Sequence, residues 1–286
     1  MRTGTAEQVR RFGSDFASGD RLAAFCLSEP SFGSDAGSLQ TRAEAQSDHY
    51  VLNGVKAWIT LGGLADYYLV FVRTGPGKRA KGVSALVVEK DTPGLHIGSK
   101  ELKMDLRGSI TAEISFSDAR VPKSNLLWGE GQGWRILTEG CNDMRAWGAA
   151  SMALGIAEGA LVEALAYSKT RIQFGGFLAH QQAVQFMLAD MKIKTEAVRS
   201  LIRRTTYMLD HGLGTAKEIE TLVSASKCLA SDTAMEITEQ AVQIHGALGV
   251  RKGSVVERLM RDAKAIQIFD GSNQIQRLIV ARNMLI

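Results

Sequence analysis

Asp270-Gly271-Ser272-Asn273-Gln274, close to the C-terminus, sets a carboxylate against a glycine turn and a serine suited to cap the first turn of a helix. A carboxylate withdrawn from water in such a turn gains the raised pKa that lets it take a proton near neutral pH. Left in solvent it is only a helix-proximal acid. Near the other end, Glu29-Pro30-Ser31-Phe32-Gly33-Ser34-Asp35 offers glycine, small hydroxyls and free backbone donors after a strand-like Leu22 to Ser28. Trp58-Ile59-Thr60-Leu61-Gly62-Gly63 then puts an aromatic ring beside a hydroxyl. Gly75-Pro76-Gly77 with Gly82 lies between two strand-like runs and opens no helix, so it reads as a hairpin loop rather than a phosphate loop. His49, His96, His180, His211 and His245 show no metal-ligand grouping.

All four prolines fall before residue 123, and the pattern changes there. Tyr50 to Leu52 and Val55 to Thr60 read as strands around a two-residue Asn53-Gly54 hairpin turn. Tyr67 to Arg73, Val83 to Lys90 and Ala112 to Ser117 continue the series, and an antiparallel β-barrel or sandwich would close it. From Trp134 the apolar spacing is helical. It predicts a helix to about Ser168, one over Val184 to Leu201, one over Ile219 to Ile244 and a short one after Ser272. Four amphipathic helices pack as a bundle, so the expected class is α+β.

With 286 residues the chain holds one large or two ordinary domains. Its formal charge of +4 is spread without a basic block and suits an anionic small ligand at least as well as nucleic acid. Cys26, Cys141 and Cys228 are too few and too far apart for a disulfide scaffold. The first 18 residues lack a signal-peptide core, and no later stretch has ~18 uninterrupted apolar residues. These features point to a cytoplasmic protein that binds neither nucleic acid nor membrane.

The segments at 29–35 and 58–63 resemble the two flavin-contacting stretches of the acyl-CoA dehydrogenase family. Asp270 to Arg277, together with Arg258-Leu259-Met260-Arg261-Asp262, resembles its C-terminal signature. Arg171-Ile172-Gln173-Phe174-Gly175 with Gln182 is similar to the segment that grips the FAD pyrophosphate and adenosine of a neighbouring subunit, a role that suits the planar fork of Arg. Gln243-Ile244-His245-Gly246-Ala247-Leu248-Gly249 is similar to a glycine-rich turn approaching the same cofactor, with Ala247 adding a methyl group where the family has glycine. Lys103 to Ser109 and Val121-Pro122 match the barrel-exit segment.

The resemblance implies a remnant of an N-terminal helical region at 1–20, a flavin-binding β domain at 21–130 and a helical bundle at 131–286. It implies FAD contacts from Phe25, Leu27, Ser28, Gly33, Ser34, Trp58, Thr60, Arg171, Gln173, Phe174, Gln182, Gln243, Gly246, Ser272 and Gln274. Substrate contacts would come from Ser34, Arg145 and Gly271. Arg145 stands one place before the family's Arg slot, which Ala146 fills. Family members carry a further helical domain before the segment that Gly4 to Gln8 resembles. Three possibilities follow: truncation, a partner chain that supplies that wall, or a protein that works without it.

The implied reaction is α,β-dehydrogenation of an acyl-CoA or acyl-carrier-protein thioester in fatty acid metabolism, in a homotetramer or dimer that passes electrons to an electron-transfer flavoprotein. Asp270 would take the α proton while hydride leaves the β carbon for the flavin. Its backbone N–H and a ribityl hydroxyl would hold the thioester oxygen. Most of the family has Glu in this place, and Asp is shorter by one bond, about 1.5 Å, a displacement that can cost ~100-fold in rate. Members with Asp there resemble dehydrogenases for ring-bearing acyl-CoAs or are nitroalkane oxidases, so the acyl group expected here is cyclic or branched. The alternatives are therefore an oxidase of that kind or a noncatalytic half-site subunit that needs a partner chain.

Overall fold

The computed structural model describes residues 4–77 and 79–285, with backbone alone for 141–143, so the side chain of Cys141 lies outside the described residues. The chain divides into two compact units. One comprises residues up to Lys103 with Arg107–Glu139, and the other Met104–Leu106 with the remainder from Gly140.

The first unit is built on a seven-stranded sheet, ordered β1-β4-β2-β3-β7-β6 with β5 on the other edge of β4. Its strands are β1 (Ala23–Cys26), β2 (Arg42–Ala45), β3 (His49–Thr60), β4 (Tyr67–Arg73), β5 (Val83–Glu89), β6 (Leu95–Lys100) and β7 (Thr111–Pro122). Most pairings are antiparallel, as the alternating sequence predicts. β1 and β2, however, run parallel to β4, end to end along one of its edges. Cys26, Leu52, Tyr68, Val70, Leu86, Val88 and Ile114 fill the core on one face. The other face of β4 meets the π-helical residues Val9–Gly13 and the turn α2 (Ser14–Ser18), while Gln8 of the short turn α1 (Ala6–Gln8) donates to the Ser124 and Leu126 carbonyls. Phe12 and Phe16 meet the ring of Tyr67 edge-on at 5.2 and 5.4 Å.

Asn53-Gly54 makes no hairpin turn. β3 runs straight through it with a register shift against β7. Gly54 has φ +146°, and a Cβ there would lie 2.7 Å from the Thr41 Cα. Close passage of the backbone at Thr41, just before β2, rather than chain reversal, is what requires glycine at this position. The loop from Gly75 to Gly82 does join β4 to β5 as predicted.

The second unit holds the end of α3 (Gly133–Asp143), the π-helical segment Met144–Ala149, α4 (Ala150–Thr170), α5 (Gln182–Asp210), α6 (Ala216–His245), α7 (Val255–Ile266) and α8 (Asn273–Leu285). Helices form where the periodicity places them, and α7 adds a short one beyond those expected. The core is a seam of Ala150, Ala153, Ala157, Ala160 and Ala164 on α4, with Ala230, Ala234, Ile237 and Ala241 of α6 beside them. Helical spacing of such small side chains lets two backbones approach closely. By length and composition the helical span Gly133–Thr170 could cross a membrane. The methyl-lined face of its α4 part instead lies in this core. Thr215 and Glu218 close a capping box at the start of α6. Arg261 of α7 donates to the Met104 carbonyl, and Asp262 accepts from the Leu106 N–H at 2.6 Å, which fastens residues 104–106 to this unit.

Candidate functional site

The turn between α7 and α8 carries Asp270, one of the few non-glycine residues with left-handed backbone (φ +55°), followed by Gly271 at φ +85°. Two successive carbonyls of this turn are held by side chains. Arg145 Nε donates to the Asp270 carbonyl at 2.8 Å, and Gln276 Nε2 reaches the same oxygen at 3.2 Å. Gln276 Nε2 also meets the Gly271 carbonyl at 3.1 Å, and Lys227 Nζ meets it at 3.0 Å. Ser272 immediately precedes α8, as predicted, its hydroxyl accepting from the Ile275 N–H at a long 3.4 Å. A left-handed non-glycine residue costs on the order of 1–3 kcal/mol and persists only where its surroundings over-determine it. Three clamping side chains from three elements meet that condition.

As a residue Asp270 keeps an exposed surface. Even so, the protein around its carboxyl makes desolvation the largest influence on it. Burial pushes its pKa above the usual carboxylate range, against the pull of Arg145 and Lys227. Arg145 projects from the π-helical segment, while Ala146, in the slot where the family resemblance expects Arg, is fully buried. Gln274 is exposed on the first turn of α8.

In the β unit, Ser28 is tied to the residue before Trp58: the Ala57 N–H donates to the Ser28 carbonyl at 2.9 Å. Trp58 stands on a bulge of β3 against β7, with φ +61° and a side chain 61% exposed. Thr60 ends the same strand, and Phe25 lies on β1 with its ring 5.0 Å from that of Phe71. Gly33 and Ser34 are exposed in the following loop, and nothing stands within 4 Å of a Cβ placed on Gly33. Beneath this rim the backbone of Leu27 is anchored by Lys56. Its Nζ donates to the Leu27 carbonyl at 3.0 Å and to Glu29 Oε1 at 2.9 Å.

A third group surrounds a small hairpin, β8 (Ile172–Gln173) and β9 (Gly176–Phe177), whose turn residues Phe174 and Gly175 both have positive φ. Phe174 is 96% exposed at its tip. Arg171 precedes the hairpin, Gln182 opens α5, and both are exposed. Gln243 and Gly246 lie at the C-terminal end of α6. There His245 stacks on Tyr167 of α4 at 4.3 Å, tying the ends of the two helices together. Ala247 is exposed, and a Cβ on Gly246 would meet nothing within 4 Å.

Lys56, Glu29, Lys227, Asn273 and Gln276 are the supporting residues that sequence reasoning did not assign, and all five are buried. Cys26 and Cys228 are free and buried, their thiols pushed up by burial. Among the described residues no His, Cys, Asp or Glu cluster could hold a metal.

A family model described as the acyl-CoA dehydrogenase middle domain matches residues 24–119, and one described as the acyl-CoA dehydrogenase C-terminal domain matches residues 131–285. An acyl-CoA dehydrogenase of Bacillus subtilis is 46% identical, covering 99% of this chain and 73% of its own length. A cyclohex-1-ene-1-carbonyl-CoA dehydrogenase of Geobacter metallireducens is 44% identical over 97% of this chain and 71% of its own. Among solved structures, butyryl-CoA dehydrogenase from Megasphaera elsdenii superposes with a TM-score of 0.96 at 40% identity, covering 100% of this chain and 73% of that one. An FAD complex of PigA superposes with a TM-score of 0.92 at 30% identity, covering 99% of this chain and 73% of that one.

Proposed function

This chain belongs to the acyl-CoA dehydrogenase family, and we propose that it carries out FAD-dependent α,β-dehydrogenation of an acyl-CoA with Asp270 as the base. The observation that supports this most directly is the desolvated carboxyl of Asp270 on an inverted turn clamped by Arg145, Gln276 and Lys227.

The residues present fit a flavin nucleotide, judged in each unit by itself. The β unit offers the exposed ring of Trp58 with the hydroxyls of Ser28, Ser34 and Thr60 and the open backbone at Gly33. The helical unit offers the Arg171 guanidinium, Gln182 and the open backbone at Gly246. When bound, FAD supplies the acceptor for the β hydride. Phe25, Leu27, Gly33, Gln243, Ser272 and Gln274 complete its contacts in this reading, and Gln173 and Phe174 work beside Arg171 toward the cofactor of a neighbouring protomer. The assembly is thus a dimer or tetramer. Residues 21–130 and 131–286 act as flavin-binding and substrate domains.

Asp270 takes the α proton. Its backbone N–H, with Gly271 beside it, supports the thioester oxygen on which enolate charge develops. Arg145 and Ser34 serve the substrate side. The thioester is a CoA ester, or one on a carrier protein, with a branched or cyclic acyl group, since the shorter Asp suits an α carbon held differently from that of a straight chain. The Geobacter relative's name agrees with a ring-bearing substrate. Electrons leave to an electron-transfer flavoprotein, and the enzyme works in the cytoplasm.

Anaerobic mixing of the flavin-loaded protein with a panel of straight, branched and cyclic acyl-CoAs tests the reading. Asp270→Asn should retain bound flavin and lose at least ~100-fold in the rate of flavin bleaching. Bleaching at the wild-type rate in that variant would remove Asp270 from its role.

A further inference from the structure

The turn that carries Asp270 is held from α6 by a charge. Lys227 is fully buried (0% exposed), with Nζ on the Gly271 carbonyl at 3.0 Å and on Asn273 Oδ1 at 2.9 Å, so it spans the two residues that flank Ser272. Asn273 is itself fixed, its Nδ2 donating to Asp232 Oδ1 at 2.7 Å and to Ser231 Oγ at 2.9 Å. Asp232 is occupied by Arg277 at 2.6 Å and by Gln267 at 2.7 Å. Among the described residues Lys227 has no carboxylate within ion-pair distance. The charged and titratable groups that face it are Asp270 on its turn, Arg145 from the π-helical segment, and Cys228 and Asp232 on α6 itself. A buried ammonium without a carboxylate partner is costly, and a neutral residue of similar shape would avoid that cost.

We propose that Lys227 is a positioning residue for the base: its ammonium fixes the left-handed Asp270-Gly271 turn through the Gly271 carbonyl, and its charge sets the acidity of the Asp270 carboxyl from inside the protein. The inference rests on Asp270 being the base. Burial lowers Lys227 to about 8, so the ammonium form prevails at neutral pH. Its charge pulls Asp270 down against desolvation, as Arg145 also does. Removing that charge leaves desolvation less opposed. The Asp270 pKa then rises, and the acid limb of the rate profile moves to higher pH.

Flavin-loaded wild type, Lys227→Met, Lys227→Arg and Asp270→Asn are compared in three ways: flavin stoichiometry, anaerobic bleaching rate across pH, and the carboxyl-carbon NMR titration of aspartate-labelled protein, with Asp270→Asn assigning the resonance. Lys227→Met should keep its flavin, bleach roughly 10- to 100-fold more slowly at pH 7, and show both the acid limb and the Asp270 titration displaced to higher pH. Lys227→Arg, which keeps the charge, should hold both near their wild-type positions. If Lys227→Met is insoluble, Lys227→Gln, which still donates to Gly271, carries the same comparison. An unmoved limb and titration in the uncharged variant overturn the proposal, even where rate or melting temperature falls, because a merely structural lysine would lower those without moving a titration. Full-rate bleaching in Asp270→Asn would instead defeat the assignment of the base.

Discussion

Lys56 in the β unit and Lys227 in the helical unit are both fully buried, and each donates to a backbone carbonyl beside a candidate functional segment. They differ in how their charge is met. Lys56 shares its ammonium with Glu29, whose oxygens also accept the Gln40 and Thr41 N–H groups at 2.7 and 2.9 Å, so the charge is cancelled where it sits. Lys227 has only the neutral Asn273 amide oxygen and the Gly271 carbonyl. A cancelled clamp shapes backbone and does little else. One left uncancelled also reaches the titration of its neighbours.

The largest effect should come from breaking the cancelled pair. Lys56→Met leaves Glu29 buried without its cation and should cost ~3–5 kcal/mol, while Lys56→Met with Glu29→Met should regain much of it. Urea denaturation of both variants measures this, and a double variant no more stable than the single would mean that the pair is not the cause. Next, glycines distinguish the rigidity of the two regions. Gly54→Ala forces an alanine to φ +146° against the backbone of Thr41 and should cost ~2–3 kcal/mol. Gly271→Ala, at φ +85°, meets chiefly the movable amide of Gln276 and should cost ~1 kcal/mol. Equal losses in urea would contradict that ranking.

The smallest effect concerns pH. Lys227 titrates near 8 when folded, below its ordinary value, so between about pH 8 and 10 the unfolded chain binds more protons than the folded one. Stability therefore rises with pH across that window, by on the order of 1–2 kcal/mol, relative to Lys227→Met. Parallel urea curves at pH 7.5 and 9.5 check the sign.

The outline of both units was legible because strands and helices here follow their own periods. Asn53-Gly54 misled because a local turn signal and a close-approach glycine look alike. Thr41 decides between them, and it lies in the segment just before β2. α7 carries a stripe of Val256, Leu259, Ala263 and Ile266 at helical spacing, and only its short span of 12 residues, beside helices of 21 to 30, makes it easy to pass over. At the site, Asp270 and Arg145 could be named from their neighbours in sequence. Lys56 and Lys227 could not, since a lysine in a strand or helix ordinarily reads as solvent-facing. Phase held the missing signal. Lys56 is in step with the buried Tyr50 and Leu52, and Lys227 falls on the stripe of Val223, Ala230 and Ala234. A charged residue in phase with a core stripe marks a buried partner to be sought.

The alanine seam of α4 has a thermal corollary. A methyl side chain has no rotamers to surrender on folding, so this contact forms without the configurational penalty that longer side chains incur. Heat magnifies such penalties. As temperature climbs, the long side chains that clamp the Asp270 turn should loosen before the methyl-lined junction of α4 and α6, so flavin reduction should fade while far-ultraviolet dichroism still reports intact helices.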